Sequence, residues 1–460
     1  MELLRFLAER RRDPLSALYR LHRAHPGLAR LDTGAGTFFM LVEPTHLRHV
    51  LVDNARNYTK ESLQKRFEPL AGLGLFTNDG APWARQRKLV QPAFQRDRLA
   101  EFSGVMLENA RALADRWVAN ATASGEPIDI AQSMVDLTLD IVVETLLGSD
   151  AGPYRETLRT SFGTMIAGLE ARSFADRIVD LVPIARRSPK LRRAVHALPI
   201  GPNRNFDKSL AELDSVVYRL IEDKRRALAA GDTSKRDVVS LLLRARDDEN
   251  TGMTDKQLRD EVVTVFLAGH ETSASALGWT FMVLAQQAEV EQRAVAEMRA
   301  VLGDGDATQS GVAKLAYTAR AFDEVLRIYP PFWRLTRTCV ADDVIDGCPI
   351  PARSTIVMVP YFTHRLERIW EDSERYDPDR FLPERVAARE RLAYVPWGAG
   401  PRSCIGESFA MLEILIILST VLRRVKLTLV PGQTIAFDPR LSLRSKHPIW
   451  MRPSLRAEAR

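Results

Sequence analysis

The stretch WGAGPRSCIG, Trp397 to Gly406, puts three glycines, a proline, an arginine and one of the chain's three cysteines close together. An apolar run, FAMLEILIILSTVL, follows almost at once. Gly398 and Gly400 allow a tight turn and a close backbone approach that larger residues resist. The run behind them predicts a helix over roughly 406–424. The turn therefore delivers Cys404 to the mouth of a helix, where backbone N–H groups and the positive helix end stabilise a thiolate. A lone cysteine is ordinarily a small buried hydrophobe, and Cys339 and Cys348 fit that description. For Cys404 the glycines, Arg402 and the helix start argue otherwise. Three cysteines are too few for a disulfide framework, and the Cys339–Cys348 spacing matches no zinc pattern. A reduced compartment follows.

Outward from this turn, the composition is that of an ordinary globular protein: 460 residues, 45% apolar and 27% charged. No internal repeat or low-complexity linker divides the chain, so a single domain over 1–460 is expected. The net charge of +6 is modest. Its Lys and Arg residues are scattered without a recognition motif, so no nucleic-acid partner is expected, while an acidic protein one is allowed. The start, MELLRFLAERRRDPL, is broken by Glu2, Arg5 and Glu9 and is no targeting signal. No segment supplies the ~20 uncharged apolar residues of a membrane span. The nearest candidate carries His270 and Glu271 at its centre. A soluble cytoplasmic protein without a transmembrane anchor is expected.

Helical spacing occupies 82–120, 130–147, 206–230, 236–247, 254–287 and 313–329, the last ending at Pro330–Pro331. TFFMLV (37–42) reads as a strand, and short strands continue through 332–360. The segment 184–206 reads as a mobile connection, and 367–391 as a loop rich in Pro, Asp and Arg. The expected class is mostly α with minor β, the β-richer parts lying at about 25–60 and 332–362.

The segment 254–287 reads as one long helix. Thr254 and Gln257 form a capping box, and Asp255 suits the positive helix start. Its apolar residues run all round, so most faces should be buried. AGHET (268–272) interrupts its middle. Gly269 costs about 1 kcal/mol relative to Ala in a helix interior. The Thr272 hydroxyl can bond back to the Ala268 carbonyl and open the ladder locally. Glu271 adds a carboxylate in apolar surroundings. A kinked helix with satisfied polar groups would explain any one of these features. Together a groove, a hydroxyl and an acid make a place where a small ligand binds and receives protons.

These stretches resemble the cytochrome P450 family of haem-thiolate monooxygenases, of the soluble bacterial type without a fused reductase. WGAGPRSCIG is similar to the family's cysteine-ligand loop, Phe-Gly-x-Gly-x-Arg-x-Cys-x-Gly, with Trp397 in place of the usual Phe. AGHET resembles its oxygen-activating helix motif. EVLR (Glu324–Arg327) resembles the Glu-x-x-Arg pair, PDRF (Pro378–Phe381) the loop that completes it, and WARQR (Trp83–Arg87) the Trp-x-x-x-Arg element near the haem. The matches run from 83 to 406 in the family's order. The resemblance implies a P450 fold, with the haem between the long central helix and the cysteine loop.

The resemblance further implies haem b, with Cys404 as the axial ligand of its iron. Thiolate donation favours O–O cleavage. Trp397, Gly398, Arg402 and Gly406 would surround the ligand, with Ala268 and Gly269 on the opposite side. Two haem propionates need cations. Arg402 lies two residues before the ligand, and Trp83 and Arg87 lie one helical turn apart on one face. Period two puts Trp333, Leu335, Arg337 and Cys339 on one strand face. An arginine on an otherwise apolar face calls for an anion, and by resemblance that anion is a propionate. Glu324, Arg327 and Arg380 would form a buried network that holds the cysteine loop.

In the reaction so implied, two electrons and O₂ reach the iron. Thr272 holds the bound oxygen by hydrogen bonds, Glu271 relays protons, and one oxygen atom enters a C–H bond. Electrons would come from a separate ferredoxin or flavodoxin with its reductase, for which Arg85, Lys88, Arg96 and Arg98 offer a basic docking face. A peroxide-driven oxygenase is one alternative, disfavoured because the acid–alcohol pair is present. A non-catalytic haem sensor or carrier is another, disfavoured because no output domain is visible. Leu75, Phe76, residues around 165–205, Leu267, Ala268, Phe332, Trp333 and Leu335 would line the pocket. They are largely apolar, which points to a terpenoid, fatty acid or steroid-like substrate.

Overall fold

The computed structural model describes Glu9 and residues 13–456, apart from 33–35, 162, 166–167, 169–200, 233 and 235–236. Its principal helices are α1 (Pro14–Ala24), α2 (Glu61–Ala71), α3 (Gly80–Val90), α4 (Arg96–Ala123), α5 (Ile130–Leu147), α6 (Gly201–Ala229), α7 (Val238–Arg244), α8 (Asp255–Gln286), α9 (Ala288–Leu302), α10 (Ala316–Ile328) and α11 (Glu407–Leu422). The strands are β1 (Leu28–Asp32), β2 (Thr37–Leu41), β3 (Tyr58–Thr59), β4 (Ile128–Asp129), β5 (Leu335–Cys339), β6 (Asp343–Ile345), β7 (Cys348–Ile350), β8 (Thr355–Met358), β9 (Val425–Leu429), β10 (Phe437–Pro439), β11 (Leu443–Ser445) and β12 (Trp450–Leu455). The mostly helical class is as expected.

Contacts divide the chain into two units. One takes in residues up to Thr59, Phe94–Ile141 and everything from Ala268. Its largest sheet has the order β1-β2-β8-β5-β3, and β2 pairs parallel with β8 from Phe38↔Thr355 to Leu41↔Met358. The continuous apolar reading of β2 is explained by cover on both faces. Phe39, Leu41, Ile356 and Met358 pack with Val50, Leu51 and Cys339 on one side. Phe38, Met40 and Val357 pack with Leu15 and Leu18 of α1 on the other. In the same unit α11 lies against α4, with the Phe409 ring edge-on to Phe94 and Phe102 at 6.4 and 5.9 Å.

The second unit takes in Lys60–Ala93 and Val142–Leu267. A buried ion pair between Lys224 and Asp237, 2.8 Å apart, joins α6 to the start of α7. Asp237 also caps α7 by accepting from the Ser240 N–H at 2.9 Å. The capping box of α8 forms as expected: the Thr254 N–H donates to Gln257 Oε1 at 3.0 Å and the Gln257 N–H to Thr254 Oγ1 at 3.2 Å.

Three expectations change. α6 begins at Gly201, several residues before the expected start, so the end of the supposed connection 184–206 is helical; most of that segment lies outside the described residues. A sheet of β4, β12 and β9 occupies the C-terminal part, which was not anticipated. Its signal was present, since VKLTL alternates, with Val425 and Leu427 buried between the exposed Lys426 and Thr428. Finally, α8 does not open at its middle. It is continuous from Asp255 to Gln286 although Thr272 Oγ1 donates to the Ala268 carbonyl at 2.7 Å. A carbonyl oxygen has two lone pairs and accepts the hydroxyl without giving up the ladder.

Candidate active site

The cysteine turn is built from left-handed backbone. Gly398 and Gly400 have φ of +69° and +67°. A Cβ at Gly400 would stand 1.9 Å from the Leu51 carbonyl oxygen, so only glycine fits there. The turn is closed by the Cys404 N–H donating to the Trp397 carbonyl at 2.8 Å and the Ser403 N–H to that of Gly400 at 3.1 Å. Gly406 caps α11, which starts at Glu407. Cys404 is exposed at the tip and outside any disulfide. Cys339 is buried and its thiol donates to the Ala341 carbonyl at 2.9 Å, while Cys348 is half-buried.

Behind the turn lies a fully buried ionic network. Arg327 donates to Glu324 twice, Nε to Oε2 at 2.7 Å and Nη2 to Oε1 at 2.8 Å. Its Nη1 donates to the carbonyls of His364 and Ser373. Arg380 Nε stands 3.3 Å from Glu324 Oε1, and the Asp377 N–H donates to the same oxygen at 3.0 Å. His364 carries the network to the cysteine turn, a part that sequence reasoning missed. The Val395 N–H donates to His364 Nε2 at 2.9 Å, which leaves the proton on Nδ1, 3.1 Å from the Arg327 carbonyl. Burial, reinforced by the Arg327 charge, pushes His364 down to about 3 and keeps it neutral. Nothing in the residues around His364 signals this link.

In α8 burial is nearly continuous from Leu258 to Leu284, but Ala268 is exposed and Gly269 to Thr272 are half-buried. The accessible stretch coincides with AGHET. Glu271 is not in purely apolar surroundings: Ser442 Oγ donates to its Oε1 at 2.8 Å. Glu413 of α11, a buried carboxyl beside Ser273, is one that sequence reasoning also missed. Burial pushes it up to about 8, opposed by Ser273, the neighbour of Thr272.

Arg337 is buried in β5 and donates to the Thr336 carbonyl at 2.9 Å; Arg402 is half-buried. In the second unit Trp83 and Arg87 lie a turn apart on α3, and Arg87 Nε donates to Gln91 Oε1 at 3.3 Å. Leu75 and Leu267 are buried, Phe76 and Phe332 half-buried. Residues 169–200, expected to contribute to a pocket, lie outside the described residues.

Two expectations are corrected. Trp333 does not line a pocket: it is fully buried against Phe38, Met40 and Val357. Leu335 and Cys339 pack on the opposite face of the sheet, because β5 begins only at Leu335 and the alternation does not reach back to 333. Arg85 is not a spare surface charge. Its Nε meets Asp247 at 2.6 Å and its Nη2 donates to the carbonyls of Thr251 and Gly252. Lys88 and Arg98 also have acidic partners, Asp248 at 2.9 Å and Glu101 at 3.2 Å. The Arg96 side chain lies outside the described residues.

Comparison with known proteins decides what this arrangement belongs to. The family model described as Cytochrome P450 matches residues 3–450. The chain belongs to the cytochrome P450 family. It is 35% identical over 435 residues to cyclooctatin synthase of Streptomyces melanosporofaciens, covering 94% of this chain and 89% of that protein. It is 32% identical over 417 residues to pentalenene oxygenase of Streptomyces avermitilis, covering 90% and 86%. Among solved structures, the heme domain of cytochrome P450DA superposes with a TM-score of 0.82 at 24% identity, covering 96% of this chain and 93% of that one. A retinoic-acid-bound cyanobacterial P450 gives 0.83 at 22% identity, covering 95% and 93%. The P450 fold is thereby established.

The protein is a haem-thiolate monooxygenase that inserts one atom of O₂ into a hydrophobic molecule. The residues of this P450 fit a haem. An exposed thiol sits on a turn whose glycine cradle leaves no space for a Cβ, and Arg337 and Arg402, cations that suit carboxylates, belong to the same unit as that turn. Among the described residues no helix is long and apolar enough to cross a membrane.

Proposed function

We propose that this P450 hydroxylates a terpenoid, with haem b bound through the Cys404 thiolate. The observation that carries the reading is Cys404 itself, exposed on a turn of two left-handed glycines at the start of α11. A relative named for oxygenating pentalenene, a terpene hydrocarbon, supports the substrate class. We take residues 1–460 as one catalytic domain, cytoplasmic, which suits three cysteines that form no disulfide.

When bound, haem supplies the thiolate-ligated iron at which O₂ is reduced and cleaved. Cys404 donates charge through its sulfur, and Gly398 and Gly400 hold the turn that aims it. Arg87, Arg337 and Arg402 would hold the haem by pairing with its propionates. Thr272 donates its hydroxyl hydrogen bond to the Ala268 carbonyl, which leaves the lone pairs of Oγ1 to accept from a donor in the accessible stretch of α8. Ser442 donates to Oε1 of Glu271 and orients the carboxyl, which takes up and passes on protons. Electrons come from a separate ferredoxin or flavodoxin with its reductase. Lys88 and Arg98, more exposed than Arg85, are the residues left to meet it.

The test is spectroscopic. The reduced carbon monoxide complex should show the red-shifted Soret band of a thiolate-ligated haem. Cys404→Ser should lose it while Cys339→Ser and Cys348→Ser keep it. Loss with either of the latter alone would refute the ligand. Titration with pentalenene and with a long-chain fatty acid, read by the iron spin state, decides the substrate class. Tighter binding of the fatty acid would overturn the terpenoid reading.

A further inference from the structure

The N-terminal half of α8 grips a short segment of its own unit, residues 72–77, through two adjacent acids. The Leu73 N–H donates to Asp260 Oδ2 at 3.0 Å and the Leu75 N–H to Glu261 Oε2 at 3.1 Å. The approach is too close for a side chain at positions 72 and 74. A Cβ at Gly72 would stand 2.1 Å from Asp260 Oδ1, and one at Gly74 2.1 Å from Thr264 Oγ1 and 2.6 Å from the Asp260 carbonyl. The far side is fastened by Gln86 Nε2, which donates to the Leu73 carbonyl at 2.7 Å.

The two acids differ. Asp260 is paired with Lys256 at 2.7 Å and Arg259 at 3.1 Å, as a structural carboxylate would be. Glu261 is wholly buried, meets no cation among the described residues, and its Oε1 has no hydrogen-bond partner. Burial pushes it up to about 8, with the Asp260 charge acting in the same direction. Burying such a group costs stability, and apolar packing alone would not require it. Among the described residues the carboxyl holds one amide, that of Leu75.

We propose that Glu261 is a positioning residue for substrate selection: by fixing the Leu75 amide it sets the wall formed by Leu75 and Phe76, which the resemblance to the family implies for the substrate pocket. The inference rests on that reading, and Glu261 itself touches no substrate. Its acceptor oxygen matters and its charge does not, so an amide should replace it.

The test uses the haem-loaded full chain and two probes, imidazole and 4-phenylimidazole. Both bind iron through nitrogen, and only the second also reads the apolar wall. Glu261→Leu should weaken 4-phenylimidazole relative to imidazole by about tenfold, in the range set by pocket contacts. Imidazole affinity and haem content should stay unchanged. Hydrogen exchange at the Leu75 amide should speed up. Glu261→Gln should restore both. Gly74→Ala, which pushes the segment off α8 without altering the acid, should act like Glu261→Leu and keeps the test open if that variant misfolds. Faster exchange with an unchanged affinity ratio in these variants would overturn the proposal. Leu75→Ala and Phe76→Ala tell the two failures apart. If they leave the ratio unchanged, the pocket assignment fails; if they shift it while Glu261→Leu and Gly74→Ala do not, only the positioning role fails.

Discussion

Thr272 separates proton handling from binding at the scale of a single side chain. Its hydroxyl is already bonded to the Ala268 carbonyl, so Thr272→Ala removes a side-chain bond and leaves a better helix former in an unbroken helix. The spectrum and the substrate-induced spin shift should survive. More reductant should end as hydrogen peroxide and less as product, and product formed per reductant consumed measures it. Full coupling in Thr272→Ala would remove its assigned role. The residues whose chemistry was legible are those set by short-range pattern: Cys404 in its glycine turn, Glu324 and Arg327 three residues apart, and Glu271 beside Thr272. Their partners were not. Ser442 meets Glu271 across 171 positions of sequence, and His364 reaches Val395 and Arg327 across 31 and 37. Such pairings depend on how the elements pack, which no local spacing encodes.

At the scale of the element, the cysteine turn and the helical turn His49–Asp53 are locked by Gly400. Gly400→Ala meets a backbone carbonyl that cannot move aside and also forces a left-handed φ on alanine, for about 1–3 kcal/mol from the φ alone. Gly406→Ala meets only Cys404 Sγ at 4.0 Å, an ordinary contact. The expected outcome is a lowered melting temperature and a reduced thiolate-type carbon monoxide band for Gly400→Ala, with Gly406→Ala near the parent. Equal behaviour of the two would show that the lock is not needed. Helices were the most legible elements, because caps and Pro330–Pro331 marked their ends. Strands were less so. Alternation carried back past the start of β5 put Trp333 on the wrong face, since a strand's face is defined only where its ladder exists.

Across the whole molecule, buried titratable groups shape how stability responds to pH. Glu261 and Glu413 are both raised from 4.5 to about 8 by burial. The folded state holds these protons where the unfolded chain has released them, so their contribution is full below about 4.5 and is lost as pH rises through 8. His364 has the opposite sign: lowered from 6.5 to about 3, it contributes above 6.5 and loses that contribution as pH falls toward 3. Glu413→Gln removes one alkaline component. The fall in melting temperature of the haem-loaded protein between pH 5.5 and 8.5 should therefore be smaller than in the parent by a few degrees. An unchanged fall would mean that Glu413 ionises normally.

The parallel pairing of β2 with β8 has a consequence for synthesis. Leu41 finds Met358 only after more than 300 further residues have been made. At ~5–20 residues per second the wait is about 15–60 s. Until then β2, whose side chains end up covered on both faces, has only the β1 hairpin and presents a bare apolar edge. Nascent chains halted before Thr355 should be captured by holdase chaperones, and chains extended past β8 should be released. For about that long, the newborn enzyme depends on its host to keep a single strand from finding the wrong neighbour.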